Sequence, residues 1–226
     1  MPRKEQQKIA LHTPEGQALL SQTKDTIRQD HLILIFKKQA GNTTCGIHSA
    51  TLLLNARHVG LTQPNITVST TAASLDWRNL PYTETNMFTF EETRSVLDHK
   101  AVEKHGCGLE QLHNLFTAHG FNTSMHYSNC TTLDTFRSLA SKALSYQDSK
   151  CGIIVNFDSG SLGQWEHGSG HFSPLAAYSP SKDSFLLLDT WGVSEETWVH
   201  TAFLYQTMCS LDDVTGTYRG FIILEE

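Results

Sequence analysis

The residue of this sequence best suited to act as a nucleophile is Cys45. It lies in the segment TTCGIH, residues 43–48, directly before an apolar run that predicts a helix. A thiol at a helix N-terminus feels the positive end of the helix dipole, which lowers its pKa and favours the reactive thiolate. The small neighbour Gly46 leaves room for a substrate carbonyl. The alternative interpretation is a structural cysteine that only packs the start of the helix.

Three further residues can complete a thiol active site. His171 opens a predicted strand and Asp189 ends the next one, so two neighbouring antiparallel strands can bring them together. The carboxylate would then orient the imidazole, and the imidazole would take the thiol proton. Gln39 precedes the cysteine at the spacing at which papain-like peptidases carry a glutamine that donates to the oxyanion. The alternatives are a surface glutamine, a core histidine and a turn aspartate.

The elements that must position these residues are helical first and extended later. Apolar residues recur with a helical period over residues 14–28, 45–56, 91–100, 109–119 and 132–146. Strands are predicted at residues 31–36, 152–157, 171–178, 184–189 and 218–224, with a short helix near 200–209. Residues 60–87 and 158–170 carry no period and are predicted to be irregular.

Helices followed by antiparallel strands predict an α+β fold. We expect one domain over residues 1–226, with a helical lobe at about 12–148 and a sheet lobe at about 150–226. The order glutamine, cysteine, histidine, acid along the chain matches the order in papain, with aspartate in place of the commoner asparagine. The expected architecture is therefore a papain-like, two-lobe fold.

Composition limits the partners of this chain. Its 226 residues include 17 basic and 23 acidic side chains, for a net charge of −6 and a pI near 6.0. This does not favour binding to nucleic acid or to an anionic membrane. No apolar run approaches the roughly 18 residues of a membrane span, and no signal sequence is seen. We expect a cytoplasmic protein with reduced cysteines, and non-classical secretion stays open.

Several segments of the sequence resemble the phytochelatin synthase family. The likeness extends from about residue 12 to the end, and it is carried by residues 44–56 (TCGIHSATLLLNA), 86–112, 170–178 (GHFSPLAAY), 185–190 (FLLLDT) and 211–221 (LDDVTGTYRGF). The chain resembles the short, bacterial-type members, which consist of the catalytic domain alone. The resemblance implies a papain-like thiol enzyme that acts on glutathione.

In such an enzyme Cys45 would cleave the cysteinyl–glycine bond and hold a γ-glutamylcysteinyl thioester. His171 would act as base and then as acid, Asp189 would orient it, and Gln39 with the Cys45 amide would bind the oxyanion. Water would release γ-glutamylcysteine, and a second glutathione would instead extend a phytochelatin chain. We expect hydrolysis to be the leading activity and transpeptidation the slower branch.

The resemblance also implies residues that bind the substrate. Arg219 would hold the γ-glutamyl carboxylate, because a guanidinium is a fork-shaped partner for carboxylates. Asp212 would accept from the α-ammonium, with Asp213 as an equally plausible carboxylate nearby. Residues 190–198 (TWGVSEETW) are acidic and aromatic where the family is commonly basic. They form a candidate lid or a partly buried hairpin end, and the difference affects the second-substrate site.

Metal ions enter these expectations as substrate or activator. No cofactor is required, and cadmium or zinc would activate the enzyme or arrive bound to the glutathione thiolate. The five scattered cysteines contain no C-x2-C pair and predict neither a disulfide framework nor a structural metal site. Cys107 with His105 offers at most half of a soft-metal site. The expected partners are glutathione and metal–glutathione thiolates, and a homodimer stays open.

Two other functions fit parts of the same sequence. A papain-like peptidase or deconjugating enzyme could use the same triad on another γ-glutamyl or peptide substrate. A thiol- and histidine-rich metal buffer would need clustered ligands, which the dispersed cysteines do not provide. His48 is a rival base to His171, but its place on the helix favours packing at the rim. Trp165 and Glu166 either line the cleft or belong to an exposed loop.

Overall fold

The computed structural model describes residues 7–23, 27–63, 80–145, 150–163 and 169–226. Its centre is one seven-stranded antiparallel sheet with the strand order β1-β6-β5-β4-β3-β7-β2. The strands are β1 (Lys8–Ala10), β2 (Thr123–Tyr127), β3 (Gly152–Asp158), β4 (Gly170–Ser179), β5 (Ser184–Leu187), β6 (Thr197–His200) and β7 (Gly220–Leu224).

Helices cover both faces of this sheet. They are α1 (Pro14–Gln22), α2 (Asp30–Ile35), α3 (Cys45–Thr62), α4 (Glu91–Val96), α5 (His99–His105), α6 (Leu109–Ala118), α7 (Leu133–Leu144) and α8 (Thr201–Met208), with short 3-10 turns at Asn86–Thr89 and Ser128–Cys130. This mixture confirms the predicted α+β class. None of the helices in the described residues combines the length and the apolar character needed to cross a membrane.

The strands bury side chains on both faces, so their residues alternate between two cores. In β3, Ile154 packs with α3 and α6, whereas Ile153 and Val155 pack on the opposite face with α7 and α8. The same alternation holds in β7, where Ile222 and Phe221 face opposite cores. A sheet that is apolar on both faces has to be covered by helices on both sides, which makes the domain three layers thick.

The longest helix, α3, brings Cys45 to the sheet. It is buried on almost every side, as expected for a helix that is apolar around its whole circumference. Ser49, one turn after Cys45, donates from its hydroxyl to the backbone oxygen of Phe172 in β4, 3.2 Å away. The start of the helix is therefore fixed beside the start of β4, where His171 lies.

The prediction of a strand at residues 31–36 was wrong, because these residues form α2. A short apolar run fits either element, and here Leu32 and Ile35, on one helical face, enter the core. α2 begins at Asp30, whose carboxylate accepts a hydrogen bond from the guanidinium of Arg28. An acidic side chain in the first turn favours a helix.

Three strands, β1, β2 and β6, were not predicted from the sequence. β1 and β2 come from the first part of the chain and form the two edges of the sheet. The predicted helix at 91–100 is two helices, α4 and α5, and the last strand starts at Gly220 rather than 218. The division into two lobes stays a prediction. The edge strand β2 lies in the part expected to be the helical lobe, and the edge strand β1 precedes that part.

Candidate active site

Cys45 is the first residue of α3 and lines a cavity beside the start of β4, the central strand of the sheet. Removal from water raises the pKa of this thiol, but a hydrogen bond and the charge of His171 lower it, as do the backbone N–H groups of Phe172 and Gly46. The lowering causes prevail, so the pKa lies below the ordinary thiol value. The side chain is therefore prepared to react as a thiolate.

His171 lies between Cys45 and a buried carboxylate. Its Nε2 is 2.9 Å from Oδ1 of Asp189, which leaves Nδ1 for the thiol. Burial lowers the pKa of His171, but the hydrogen bonds and charges of Asp189 and Cys45 outweigh burial and raise it. The lowered pKa of Cys45 and the raised pKa of His171 favour a thiolate–imidazolium pair over a neutral thiol and imidazole.

Asp189 is fully buried and fixed by its own contacts. The backbone N–H of Trp191 donates to Oδ1 over 3.0 Å. Burial raises the pKa of the carboxyl, whereas the hydrogen bond and charge of His171, the Trp191 N–H and the charge of Lys38 lower it below its usual value. Asp189 is thus the anionic end of a cysteine–histidine–aspartate line, as the sequence led us to expect.

Gln39 is held at the site by hydrogen bonds to Thr190. The backbone N–H of Gln39 donates to the oxygen of Thr190 over 2.8 Å, and the Thr190 hydroxyl donates to Gln39 Oε1 over 2.8 Å. One N–H of Gln39 Nε2 donates to the oxygen of Gly41, 2.7 Å away. Because an amide nitrogen has two hydrogens, one donor remains for a ligand.

Thr190 is a site residue to which sequence reasoning gave no role. Its Oγ1 lies 3.4 Å from His171 Nε2 and 3.1 Å from the oxygen of Phe172, in addition to its bond with Gln39. The hydroxyl connects the histidine strand to the glutamine. The available signal was its position directly after Asp189, because a residue adjoining a catalytic side chain lies within reach of the same site.

The cavity beside Cys45 holds about 270 Å³, near the small end of ligand sites in proteins. Among its walls are Cys107, Asp212, Asp213 and Trp191. The lining is mixed in character and includes thiol, carboxylate and aromatic groups. A cavity of this volume accepts a small molecule rather than a large ligand.

Asp212 and Arg219 differ in their access to the cavity. Asp212 lines the cavity, and its Oδ1 accepts from the backbone N–H groups of Val214 and Thr215 at 3.0 Å each. Arg219 is fully buried and donates to the hydroxyl of Ser210 over 2.7 Å. Both approach the start of β4.

The meeting point of these two side chains is Gly170. A Cβ on this glycine would lie 2.9 Å from Asp212 Oδ2 and 3.6 Å from Nε and Nη2 of Arg219. The absence of a side chain therefore allows both to reach the backbone next to His171. The predicted binding roles of Asp212 and Arg219 stay predictions, with Asp212 the one exposed to the cavity.

Cys107 is close to Cys45. A Cβ on Gly46 would come within 2.5 Å of Cys107 Sγ, so only glycine fits beside this thiol. Burial and the negative charges of Cys45 and Asp212 raise the pKa of Cys107, which keeps it as a neutral thiol. Within the described residues, no group of three or more histidine, cysteine or acidic side chains is arranged to hold a metal ion.

The other residues considered from the sequence are placed as follows. His48 is buried, and its ring nitrogens contact Glu84 and Lys37, so it packs rather than faces the thiol. Trp191 lines the cavity, whereas Trp198 is part of the core in β6. Trp165 and Glu166 lie outside the described residues.

Comparison of the sequence with known proteins points to one family. The sequence model of the phytochelatin synthase family matches residues 3–221. The chain is 28% identical over 200 residues to glutathione gamma-glutamylcysteinyltransferase 1 of Triticum aestivum, covering 86% of this chain and 35% of that protein. The namesake of Arabidopsis thaliana is 27% identical over 198 residues, covering 85% and 36%.

A glutathione gamma-glutamylcysteinyltransferase of Schizosaccharomyces pombe is 30% identical over 133 residues, which cover 58% of this chain and 30% of that protein. The chain thus spans about a third of the length of the curated relatives it matches. The family match extends over nearly all of the chain and includes all three members of the cysteine–histidine–aspartate line. This protein therefore belongs to the phytochelatin synthase family.

Proposed function

We propose that this protein is a thiol acyl-transfer enzyme that cleaves the cysteinyl–glycine bond of glutathione. The observation that carries the proposal is the Cys45–His171–Asp189 line beside a small cavity of mixed lining, in a chain whose relatives are named glutathione gamma-glutamylcysteinyltransferases. A thiolate held by an imidazolium is the reactant that acyl transfer requires.

The first half-reaction forms a thioester. The Cys45 thiolate attacks the carbonyl carbon of the cysteinyl residue, and the carbonyl oxygen becomes an oxyanion. The backbone N–H of Cys45, at the helix N-terminus, and the remaining N–H of Gln39 donate to this oxyanion. The imidazolium of His171 then gives its proton to the departing glycine nitrogen, the C–N bond breaks, and γ-glutamylcysteine stays bound to the sulfur.

The second half-reaction removes the acyl group. His171, now neutral, takes a proton from the incoming nucleophile as the nucleophile attacks the thioester. Water gives γ-glutamylcysteine, and the α-amine of a second glutathione gives a phytochelatin. We propose that hydrolysis dominates, because the acidic and aromatic segment at residues 190–198 differs from the basic segment common in the family. Asp189 keeps the imidazole in the orientation that both steps need.

Metal ions enter as part of the substrate in this proposal. A soft ion such as cadmium binds the glutathione thiolate, and the enzyme then acts on the metal–thiolate complex. The same ions, or zinc, could act as activators, and no resident cofactor is needed for the steps above. Action on cytoplasmic glutathione and assembly as a homodimer are further parts of the proposal that need separate measurements.

The direct test is a mass-resolved product assay with glutathione, with and without cadmium. Hydrolysis yields equal amounts of glycine and γ-glutamylcysteine, and transpeptidation adds oligomers of γ-glutamylcysteine that end in glycine. Absence of glycine release in both conditions would contradict the glutathione assignment. Other γ-glutamyl compounds and peptides would then be offered to the same protein, since a papain-like peptidase or deconjugating enzyme would cleave one of those instead.

Asp212→Asn tests how the substrate is held. The asparagine oxygen can still accept from Val214 and Thr215, so the loop keeps its shape while the negative charge is lost. If Asp212 accepts from the α-ammonium of the γ-glutamyl group, KM should rise about tenfold or more and kcat should change little. Asp213→Asn is the matched control, because Asp213 also lines the cavity. Equal effects of the two variants would remove Asp212 from its proposed role.

A further inference from the structure

Glu84 is a partly buried carboxylate next to the site, and none of the steps above uses it. The exposed fraction of its side chain is 15%. It faces the loop of residues 39–45, which we call the nucleophile loop because it joins the proposed oxyanion donor to the nucleophile. The backbone N–H groups of Ala40 and Gly41 donate to its two oxygens over 2.8 and 3.3 Å, and the hydroxyl of Thr44 donates to it as well.

The same carboxylate also holds the first turn of α3. His48 Nδ1 lies 2.8 Å from Glu84 Oε1, and His48 Nε2 lies 2.8 Å from the oxygen of Lys37. Burial raises the pKa of Glu84, but hydrogen bonds from His48, from Thr44 and from the Ala40 N–H lower it to about 2. The group is therefore an anion throughout the neutral range, and it accepts bonds from the loop and from the helix together.

The turn that presents Glu84 is itself fixed. The side-chain amide of Asn55, in α3, bonds both the N–H and the oxygen of Tyr82, at 3.1 and 2.8 Å. Thr83 and Asn86 bond each other reciprocally, each backbone N–H donating to the other's side chain over 2.8 and 3.0 Å. Glu84 thus extends from a braced turn, and the bracing starts on the helix that carries the nucleophile.

We propose that Glu84 is a positioning residue, which holds the nucleophile loop so that the Cys45 amide and Gln39 face the same substrate carbonyl. On the opposite side, the loop is held by Thr190 through the backbone and the side chain of Gln39. The inference rests on the proposed function for its catalytic consequence, since the two donors have to converge only if an oxyanion forms between them. The contacts of Glu84 with the nucleophile loop do not depend on which substrate the protein binds.

The kinetic test is Glu84→Gln. The glutamine keeps the size of the side chain but replaces one acceptor oxygen by an NH₂ group, which faces donors that it cannot satisfy. We expect kcat for glycine release to fall about 10- to 100-fold, because a displacement near 1 Å of a reacting group costs up to about 100-fold, while KM stays within about threefold. Glu91→Gln, at an exposed position of α4, is the matched control and should behave as wild type.

The structural test is hydrogen exchange of the Ala40 and Gly41 amides. Glu84→Gln should accelerate exchange at these two amides and leave the core strand β3 unchanged. A variant with wild-type exchange, or with kcat within about twofold of wild type, would overturn the proposal. A loss of activity that only follows a loss of folded protein in thermal melts would overturn it too, because Glu84 would then be scaffold alone.

The two proposals fail in different ways. If wild-type protein releases no glycine from glutathione, the proposed function fails, whatever Glu84 does. The hydrogen-exchange experiment needs no substrate. The rate at which iodoacetamide alkylates Cys45 can also be measured without one. If the two amides exchange at the wild-type rate in Glu84→Gln, Glu84 does not hold the nucleophile loop, even where the enzyme's substrate has been assigned wrongly.

Discussion

Cys45→Ala is expected to abolish the release of glycine from glutathione, with a loss of roughly 10⁴-fold or more in kcat. The thiol is the group that forms the covalent bond, and no neighbouring side chain can replace it. Cys107, although close, has a raised pKa and stays a neutral thiol at neutral pH. The measurement is a single-turnover assay of glycine, with mass spectrometry of the protein to detect the acyl group on residue 45.

The control for this experiment is Cys130→Ala. Cys130 is exposed and follows β2 in a short 3-10 turn, so its removal should leave the rate unchanged. Glycine release by Cys45→Ala at more than a hundredth of the wild-type rate would show that another residue is the nucleophile. Cys107 would be the first to replace in that event, because it lines the same cavity.

His171→Ala is expected to lower kcat by about 10³- to 10⁴-fold and to move the pH at which Cys45 ionises. In the wild type, the hydrogen bond and charge of His171 lower the cysteine pKa against the opposing effect of burial. Without the histidine, burial remains as the major cause, so the pKa should rise above the ordinary value of 9.0. Iodoacetamide alkylation of residue 45, followed across pH, reports this directly because only the thiolate reacts.

The contacts of Cys45 determine the direction in which its alkylation profile should shift with pH when His171 is removed. The midpoint of the wild-type alkylation profile should lie below pH 9, and the His171→Ala profile should be shifted to higher pH. His58→Ala, at an exposed position on α3, is the matched histidine control and should follow the wild type. Coincident profiles for His171→Ala and wild type would mean that His171 does not form the ion pair with Cys45.

The sequence was sufficient to predict the line of Cys45, His171 and Asp189 because each residue is positioned by its local element. A cysteine at the start of an apolar helix faces outward along the helix axis, and two adjacent antiparallel strands align a strand start with the end of the next strand. These are consequences of regular geometry, which short sequence patterns report well. The structure brings His171 and Asp189 to 2.9 Å.

Other parts of the site depend on contacts between distant segments. Glu84 reaches the nucleophile loop from a separate turn, and no periodicity or local motif indicates such a pairing. The contact between Thr190 and Gln39 likewise joins segments that are far apart in the sequence. The wrong strand at residues 31–36 had a different origin, since a six-residue apolar run is too short for its period to distinguish helix from strand.

The order of strands in the sheet has a consequence for how the chain folds. β7 lies between β3 and β2, and within the described residues β2 pairs with β7 alone; β1 likewise pairs with β6 alone. During synthesis, both edge strands therefore leave the ribosome long before their neighbours exist. Bringing such distant strands together lowers the entropy of the chain before any contact between them offsets this cost. Folding is therefore slower, and unpaired strand edges stay exposed for longer. Cellular folding of this domain should accordingly depend on chaperones that protect the early segments until residues 220–224 insert.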